Sequence, residues 1–315
     1  MISTSRRLFL CLTATLMLAG CTQTIAPAPR LASDAQIAAA QAAPIDETGI
    51  AMRWNDRLAP FTILDNVHFV GTQGLGVFLI TTPQGHILID GALAQSVPQI
   101  LDNIRALGFD PGDIKYLLNT HAHYDHAAGL AGLQRASGAV MIASAADRPY
   151  LEAGAVDHGP TSDTPFPPVR VDRMVGDGDI VTLGDTTLTA LLTPGHSPGC
   201  TSWTLTATDS KGVPRKVFLH CSASLGGQSL VPEAYPGMIA NYRATFAKVR
   251  GLQADVFLAN HDIFFDLHAK RARQLAGQAD AFVVPSELQL FNTEMEQDFG
   301  AALAKQQAAP EGQRP

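Results

Sequence analysis

Six residues, His121-Ala122-His123-Tyr124-Asp125-His126, put four metal-ligating side chains between an apolar run and a helix-like pattern, and this junction constrains the chain more than any other feature. The preceding run, Ile114-Lys115-Tyr116-Leu117-Leu118-Asn119-Thr120, suits a buried strand. The following one, Ala127 to Ser137, has helical spacing. On extended backbone, side chains two apart share a face, so His121 and His123 can converge on one cation. Asp125 and His126 lie where the chain turns into the helix and can point toward a second. Neutral imidazole and carboxylate are ligands that zinc accepts, and an Asp beside three His adds the charge a second ion needs. The stretch therefore implies two metals. The bland alternative is a solvated, His-rich loop.

The same placement recurs. Thr186 to Leu192 alternates like a strand and breaks into Thr193-Pro194-Gly195-His196-Ser197-Pro198-Gly199, where Pro and Gly force a tight loop around His196. Val256-Phe257-Leu258-Ala259 runs into Asn260-His261-Asp262. Either His alone is most simply a satisfied polar residue. Repeated at three strand ends, the placement instead describes how a sheet builds a rigid metal site.

Together, the H-x-H-x-D-H motif, His196 in its Pro-Gly loop and the late His261 resemble the metallo-β-lactamase superfamily, over about residues 60 to 275. Asp90, closing Ile87-Leu88-Ile89-Asp90-Gly91, is similar to the superfamily's first motif, where an Asp supports the ligands from behind. Lactonases, glyoxalases and nuclease relatives carry a metal-bridging Asp where this chain has His220-Cys221-Ser222-Ala223-Ser224. Subclass-one β-lactamases place Arg where His126 stands and a Lys beyond the Cys, and neither is present. The combination, with Gly199-Cys200-Thr201-Ser202-Trp203-Thr204 and Asp266-Leu267-His268-Ala269-Lys270, looks like subclass three of the class B β-lactamases.

The resemblance implies His121, His123 and His196 on a first zinc and Asp125, His126 and His261 on a second. It implies hydrolysis of the β-lactam amide of penicillins, cephalosporins and carbapenems by a hydroxide made available at neutral pH, with no covalent acyl-enzyme and with antibiotic resistance as the outcome. Asp125 would orient the hydroxide. Ser222 and Ser224, two apart on what reads as a strand end, would both face the site and bind the substrate carboxylate; ordinary strand-end hydroxyls are the alternative. A lactonase or other small-ester or thioester hydrolase on the same fold is the runner-up, and a non-catalytic periplasmic zinc-binding lipoprotein the reading from another class.

Four other His, His68, His86, His220 and His268, read as structural, and His158 as part of a surface loop from Glu152 to Pro168. Trp54 reads as a cleft wall or a packing anchor. Cys200 and Cys221 remain in the folded domain, where they pair in an oxidising compartment, stay as buried thiols, or supply Cys221 as a ligand.

Arg6 and Arg7 precede a short apolar segment, Leu8 to Ala19, that reads as a secretion signal. Leu18-Ala19-Gly20-Cys21 resembles a bacterial lipobox, with Cys21 as the lipidated residue, and Ser5 to Leu10 resembles a twin-arginine signal. Ordinary export with cleavage and no lipid is the alternative. Thr22 after the Cys fits sorting to the outer membrane of a Gram-negative bacterium, with the domain in the periplasm. The expected organisation is a signal peptide at 1–20, an Ala/Pro/Gln-rich tether at 21–50, the catalytic domain at 51–303 and a polar tail at 304–315.

Strand-like runs at Val67 to Val70, Val77 to Thr81, Ile87 to Asp90 and Lys115 to Leu118, with helices at Ser96 to Leu107, Gly237 to Gly251 and His268 to Ala281, allow an α/β fold of two sheets between helices. The resemblance makes this an αββα sandwich of two mixed β-sheets flanked by helices. A net charge of −7, from 22 basic and 29 acidic residues, argues against a nuclease, since phosphodiesters need a basic footprint. The expected partner is a small β-lactam, with no nucleic acid, and a monomer is favoured.

Overall fold

Along Gly85–Ile89, Ile87 and Ile89 join one apolar layer while Leu88 joins another, and the same split separates Leu118 from Leu117 and Ile142 from Met141. Alternation at period two therefore feeds two cores from one sheet. Each fully buried Leu or Ile in them contributes roughly 1.5–3 kcal/mol.

A computed structural model describes residues 31–45 and 53–310. Its elements are, in order, α1 (Asp34–Ala42), β1 (Phe61–Leu64), β2 (Val67–Phe69), β3 (Phe78–Thr82), β4 (Gly85–Ile89), α2 (Val97–Ala106), β5 (Ile114–Leu118), α3 (Tyr124–Ala127), α4 (Leu130–Ser137), β6 (Val140–Ser144), α5 (Arg148–Ala153) and β7 (Arg173–Val175). There follow β8 (Ile180–Leu183), β9 (Thr186–Leu192), β10 (Thr201–Thr208), β11 (Pro214–His220), α6 (Met238–Arg250), β12 (Val256–Ala259), α7 (Leu267–Leu275) and α8 (Glu287–Ala308).

Strands β1 to β7 form one sheet in chain order, antiparallel from β1 to β4 and parallel from β4 to β7. The other sheet runs β12-β11-β10-β9-β8, with β11 and β12 parallel and the remaining pairs antiparallel. Both sheets are thus mixed. The outer face of the first packs on α2 and α4 through Val97, Ile100, Ile104, Leu130 and Leu133. The second meets α6 and α8 through Tyr242, Phe246, Leu288 and Phe299. The layers are helix, sheet, sheet, helix, and the chain leaves β4, β5, β6, β9, β11 and β12 into the segments that build the site.

Three expectations differ from what forms. Asp34–Ala42, expected within a tether, is a helix capped by the reciprocal Ser33 and Gln36 bonds. It docks on the domain through the Ala32 N–H to Pro168 O, 3.3 Å, and the Arg135–Asp34 ion pair, 2.8 Å. Alanine is the best helix former, but a helix of small residues carries no broad apolar stripe, so its composition resembles that of a linker. The helix expected at His268 to Ala281 stops at Leu275. The chain beyond Leu303 does not leave the fold there, because α8 continues to Ala308 with Leu303 buried. Cys21, the secretion signal and half of the proposed tether lie outside the described residues.

Candidate metal centre

His121 and His123 follow β5, and His196 sits in the turn after β9. His121 Nε2 lies 3.0 Å from His123 Nδ1, which lies 3.0 Å from His196 Nε2. The opposite ring nitrogens fix the tautomers of His196 and His121. His196 Nδ1 faces the Ser224 carbonyl oxygen at 2.8 Å, which only accepts, so Nδ1 carries the proton. Thr120 Oγ1 donates to Asp90 Oδ2 at 2.7 Å and is free to accept from His121 Nδ1 at 3.2 Å. The Nε2 lone pairs of His121 and His196 therefore face His123 Nδ1, and burial keeps the rings neutral: it pushes His121 and His123 well below the usual imidazole range and His196 down to about 4. With His123 Nδ1 unprotonated as well, three lone pairs at this spacing suit a cation between them. For zinc–nitrogen bonds near 2.0 Å, a tetrahedron has edges of about 3.3 Å.

Asp125 and His126 open α3, and His261 follows β12. His126 Nε2 and His261 Nε2 are 3.1 Å apart, and Asp125 Oδ2 lies 3.1 Å and 3.4 Å from them. Burial alone would raise the Asp125 carboxyl, but the charge and hydrogen bond of His126, with that of His261, hold it well below the usual carboxylate range. Burial would lower His126, yet the Asp125 and Asp90 carboxylates raise it. Asp90 is the brace beneath: its Oδ1 accepts Thr120 N–H at 2.7 Å and Asn119 Nδ2 at 3.0 Å, and its Oδ2 lies 3.8 Å from His126 Nδ1. It is held at φ 66°, a left-handed conformation that costs a non-glycine residue about 1 kcal/mol or more.

All six expected ligands thus gather in two triads, each with its ligand atoms within 4.8 Å of one another. His123, Asp125, His196 and His261 floor a cleft of about 360 Å³ walled by Trp54, Tyr124, Pro160, Thr161, Phe264 and the Ser224-to-Gln228 segment, with no Lys or Arg in the lining, and His121 and His126 lie buried beneath it. Trp54 packs on the His261 ring, centroids 5.3 Å apart.

Ser224 lines this cleft, but Ser222 does not, being 2% exposed with its Oγ 3.3 Å behind that of Ser224. The expectation that both face the site assumed a strand, whereas β11 ends at His220 and strict alternation ends with it. Cys200 and Cys221 are bonded, with Cα atoms 5.7 Å apart, and tie the His196 loop to the segment that carries Ser224. His158 is not a surface residue: it is buried between Tyr150 and Tyr235, its ring 6.5 Å from that of His123. His68, His86, His220 and His268 belong to neither triad. Gln228, whose Nε2 donates to His196 O at 2.6 Å, and Asp147, which accepts the Ala122 N–H, were not legible as site residues. Asp147 precedes Arg148-Pro149 and reads as an ordinary helix cap.

Residues 77–209 match the family model of the metallo-beta-lactamase superfamily. The chain belongs to this superfamily, and its fold and the two triads agree with that. Among solved structures it is similar to BJP-1, a subclass B3 metallo-beta-lactamase of Bradyrhizobium japonicum, at 46% identity and TM-score 0.78, covering 81% of this chain and 97% of that one. The FEZ-1 metallo-beta-lactamase of Legionella gormanii is 35% identical at TM-score 0.78, with 81% and 99% covered. The N-acyl homoserine lactonase AttM of Agrobacterium fabrum is 29% identical over 209 residues, 59% of this chain and 77% of that protein. The superfamily fold implies a divalent metal, typically zinc, and both donor sets suit it.

Proposed function

We propose that this protein is a zinc β-lactamase of the subclass B3 type, opening the amide ring of penicillins, cephalosporins and carbapenems. The observation that carries the reading is a pair of complete triads with no carboxylate shared between them, the place of such a group being held by Cys221 in its disulfide. That arrangement accompanies 46% identity to a B3 enzyme over nearly its whole length.

His121, His123 and His196 would hold the first of two zinc ions, and Asp125, His126 and His261 the second. Zinc in such sites supplies a water acidified toward neutrality and an electrophile for the amide carbonyl and the departing nitrogen. The chain's own groups do the rest. Asp125, held ionised, has a carboxylate at the cleft floor that can accept a hydrogen bond from the attacking water and orient it. Ser224 Oγ offers a donor to the substrate carboxylate from the wall, and Ser222 Oγ, behind it, accepts the Ser224 N–H at 3.3 Å and fixes the turn. Trp54, Tyr124 and Phe264 exclude water around the ring. Asp125→Asn is expected to lower kcat about 100-fold, the scale of losing one well-placed polar group at a reacting centre. Undiminished hydrolysis would remove that role.

The test is the ultraviolet absorbance of a carbapenem and a cephalosporin with residues 31–315, before and after chelation. Loss of both chromophores that stops on chelation supports the reading. Inert β-lactams with turnover of acyl-homoserine lactones would replace it by the lactonase, the activity named for AttM. We also propose export to the periplasm and anchoring through lipidated Cys21, with resistance to β-lactams as the consequence for the cell and the domain acting as a monomer. Intact mass of the mature amino terminus, inhibitory concentrations in a susceptible host and sedimentation test these in turn.

A further inference from the structure

Asp147 stands just before α5, where an aspartate ordinarily turns its carboxylate onto the first amides of the helix. Here its side chain caps nothing. The carboxyl, 1% exposed, reaches back to the metal-bearing edge, where Oδ2 accepts the Ala122 backbone N–H at 3.1 Å. Ala122 is the spacer between His121 and His123. From the other side the loop that carries His196 presses on the same group. A Cβ at position 199 would lie 2.3 Å from both Cγ and Oδ1 of Asp147, so only glycine fits there. The Gly199 N–H and the Ser197 hydroxyl face the carboxyl, yet Oδ1 has no partner at good hydrogen-bonding geometry. Burial accordingly raises the group to about 7. A buried carboxyl with one oxygen short of a partner costs stability, and the fold keeps it at the meeting point of two ligand-bearing loops.

We propose that Asp147 is a positioning residue for the first triad: by clamping the His121-Ala122-His123 segment against the His196 loop, it sets the spacing of the three imidazole nitrogens. It works through backbone on one side and through contact with Gly199 on the other. In that it differs from Asp90, whose carboxylate lies beside a ligand ring. The inference rests on the reading of the triad as a metal site.

Asp147→Asn keeps the volume and one acceptor for Ala122 but turns an amide N–H₂ toward the Gly199 N–H, so two donors face each other. The expected result is a first-site zinc affinity about 10–100-fold weaker with the second site unchanged, the range seen when a group supporting a ligand is lost. Zinc retained against chelators of graded strength measures this. The absorption of the cobalt-substituted protein reads ligand geometry directly and should change as well. Thermal melting of the metal-free protein reports the structural contribution separately. If Asp147→Asn melts lower but keeps both zinc affinities and the wild-type cobalt spectrum, the residue is only a packing element and the proposal is overturned. It is equally overturned if Asp147→Asn and Asp147→Ser both fail to fold with zinc present, because the carboxyl is then a folding determinant. If the wild-type protein binds no metal that His196→Ala removes, the metal reading itself fails, and the inference with it.

Discussion

The two triads share a floor and differ in what holds them. The first is all imidazole, neutral and buried, and its geometry is fixed by a disulfide, by the His196-to-Ser224 carbonyl bond and by backbone contacts to Asp147. The second carries a carboxylate, has a second one beneath it at Asp90, and has its outer ligand, His261, 12% exposed and covered by Trp54. A cation in the first would be held by neutral imidazoles, and a cation in the second by charge as well. The lesson is that one site depends on geometry and the other on electrostatics, although both are built from the ends of the same sheets.

The strongest way to break this comparison is to delete one ligand from each triad. His196→Ala and His261→Ala should each reduce bound zinc from two to one and lower kcat/KM roughly 10³-fold, several kcal/mol of transition-state stabilisation. Zinc content by mass spectrometry and initial rates check both. Two tightly held ions in either variant would show that the triads are not separate sites.

Asp90→Asn separates charge from shape. Asparagine keeps an acceptor for the Thr120 N–H but removes the negative charge beside His126, so zinc affinity at the second triad should fall about 10–100-fold, while the first, which reaches Asp90 only through the Thr120 hydroxyl beside His121, should fall less. An equal loss at both triads would make Asp90 a scaffold for the whole junction, and the contrast with Asp147 would disappear.

The disulfide should act on the first triad through stability. Closing the loop between Cys200 and Cys221, 21 residues apart, is worth about 3 kcal/mol on a chain-entropy basis. Cys200→Ser/Cys221→Ser is expected to unfold at correspondingly lower denaturant and to release first-site metal more readily than second-site metal. Unchanged release from the first triad would leave Asp147 and the Ser224 carbonyl as its only braces.

How far these features can be read from sequence follows from where their contacts come from. His121, His123, Asp125 and His126 were legible because four ligands share one strand-to-helix junction, and His196 and His261 because each follows a strand-like run. The alternation of Ile87, Leu88 and Ile89 likewise announces a sheet with two covered faces. Asp147 was not legible, because nothing local distinguishes a carboxylate that caps its own helix from one that reaches Ala122, 25 residues away. His158 sits in a polar stretch, and its burial comes from Tyr150 and Tyr235, on α5 and before α6. Ser222 was misplaced because pattern carries no mark of where β11 stops. Helix α1 was hidden by small residues that suit a helix and a linker equally.

His220 gives the smallest effect and the sharpest control on the first triad, being an imidazole as deeply buried but surrounded by Phe218, Phe257 and Phe291 instead of by other ligands. Its Nε2 has no partner, and burial pushes its pKa down to about 3. In the unfolded chain an imidazole titrates near 6.5. Between those values the unfolded state binds the extra proton, so stability is complete above about 6.5 and is lost as pH falls toward 3. Asp147, raised to about 7, acts in the opposite sense, stabilising at low pH and losing that contribution as pH rises through 7, so the two partly cancel in the wild-type protein. His220→Leu removes one arm. In the metal-free protein its urea unfolding free energy should exceed that of wild type by about 2 kcal/mol more at pH 5 than at pH 8, about 1.4 kcal/mol for each pH unit below the unfolded pKa. An equal difference at both pH values would mean that the folded protein protonates His220 readily, and burial alone would then no longer account for the neutrality of the three imidazoles above it.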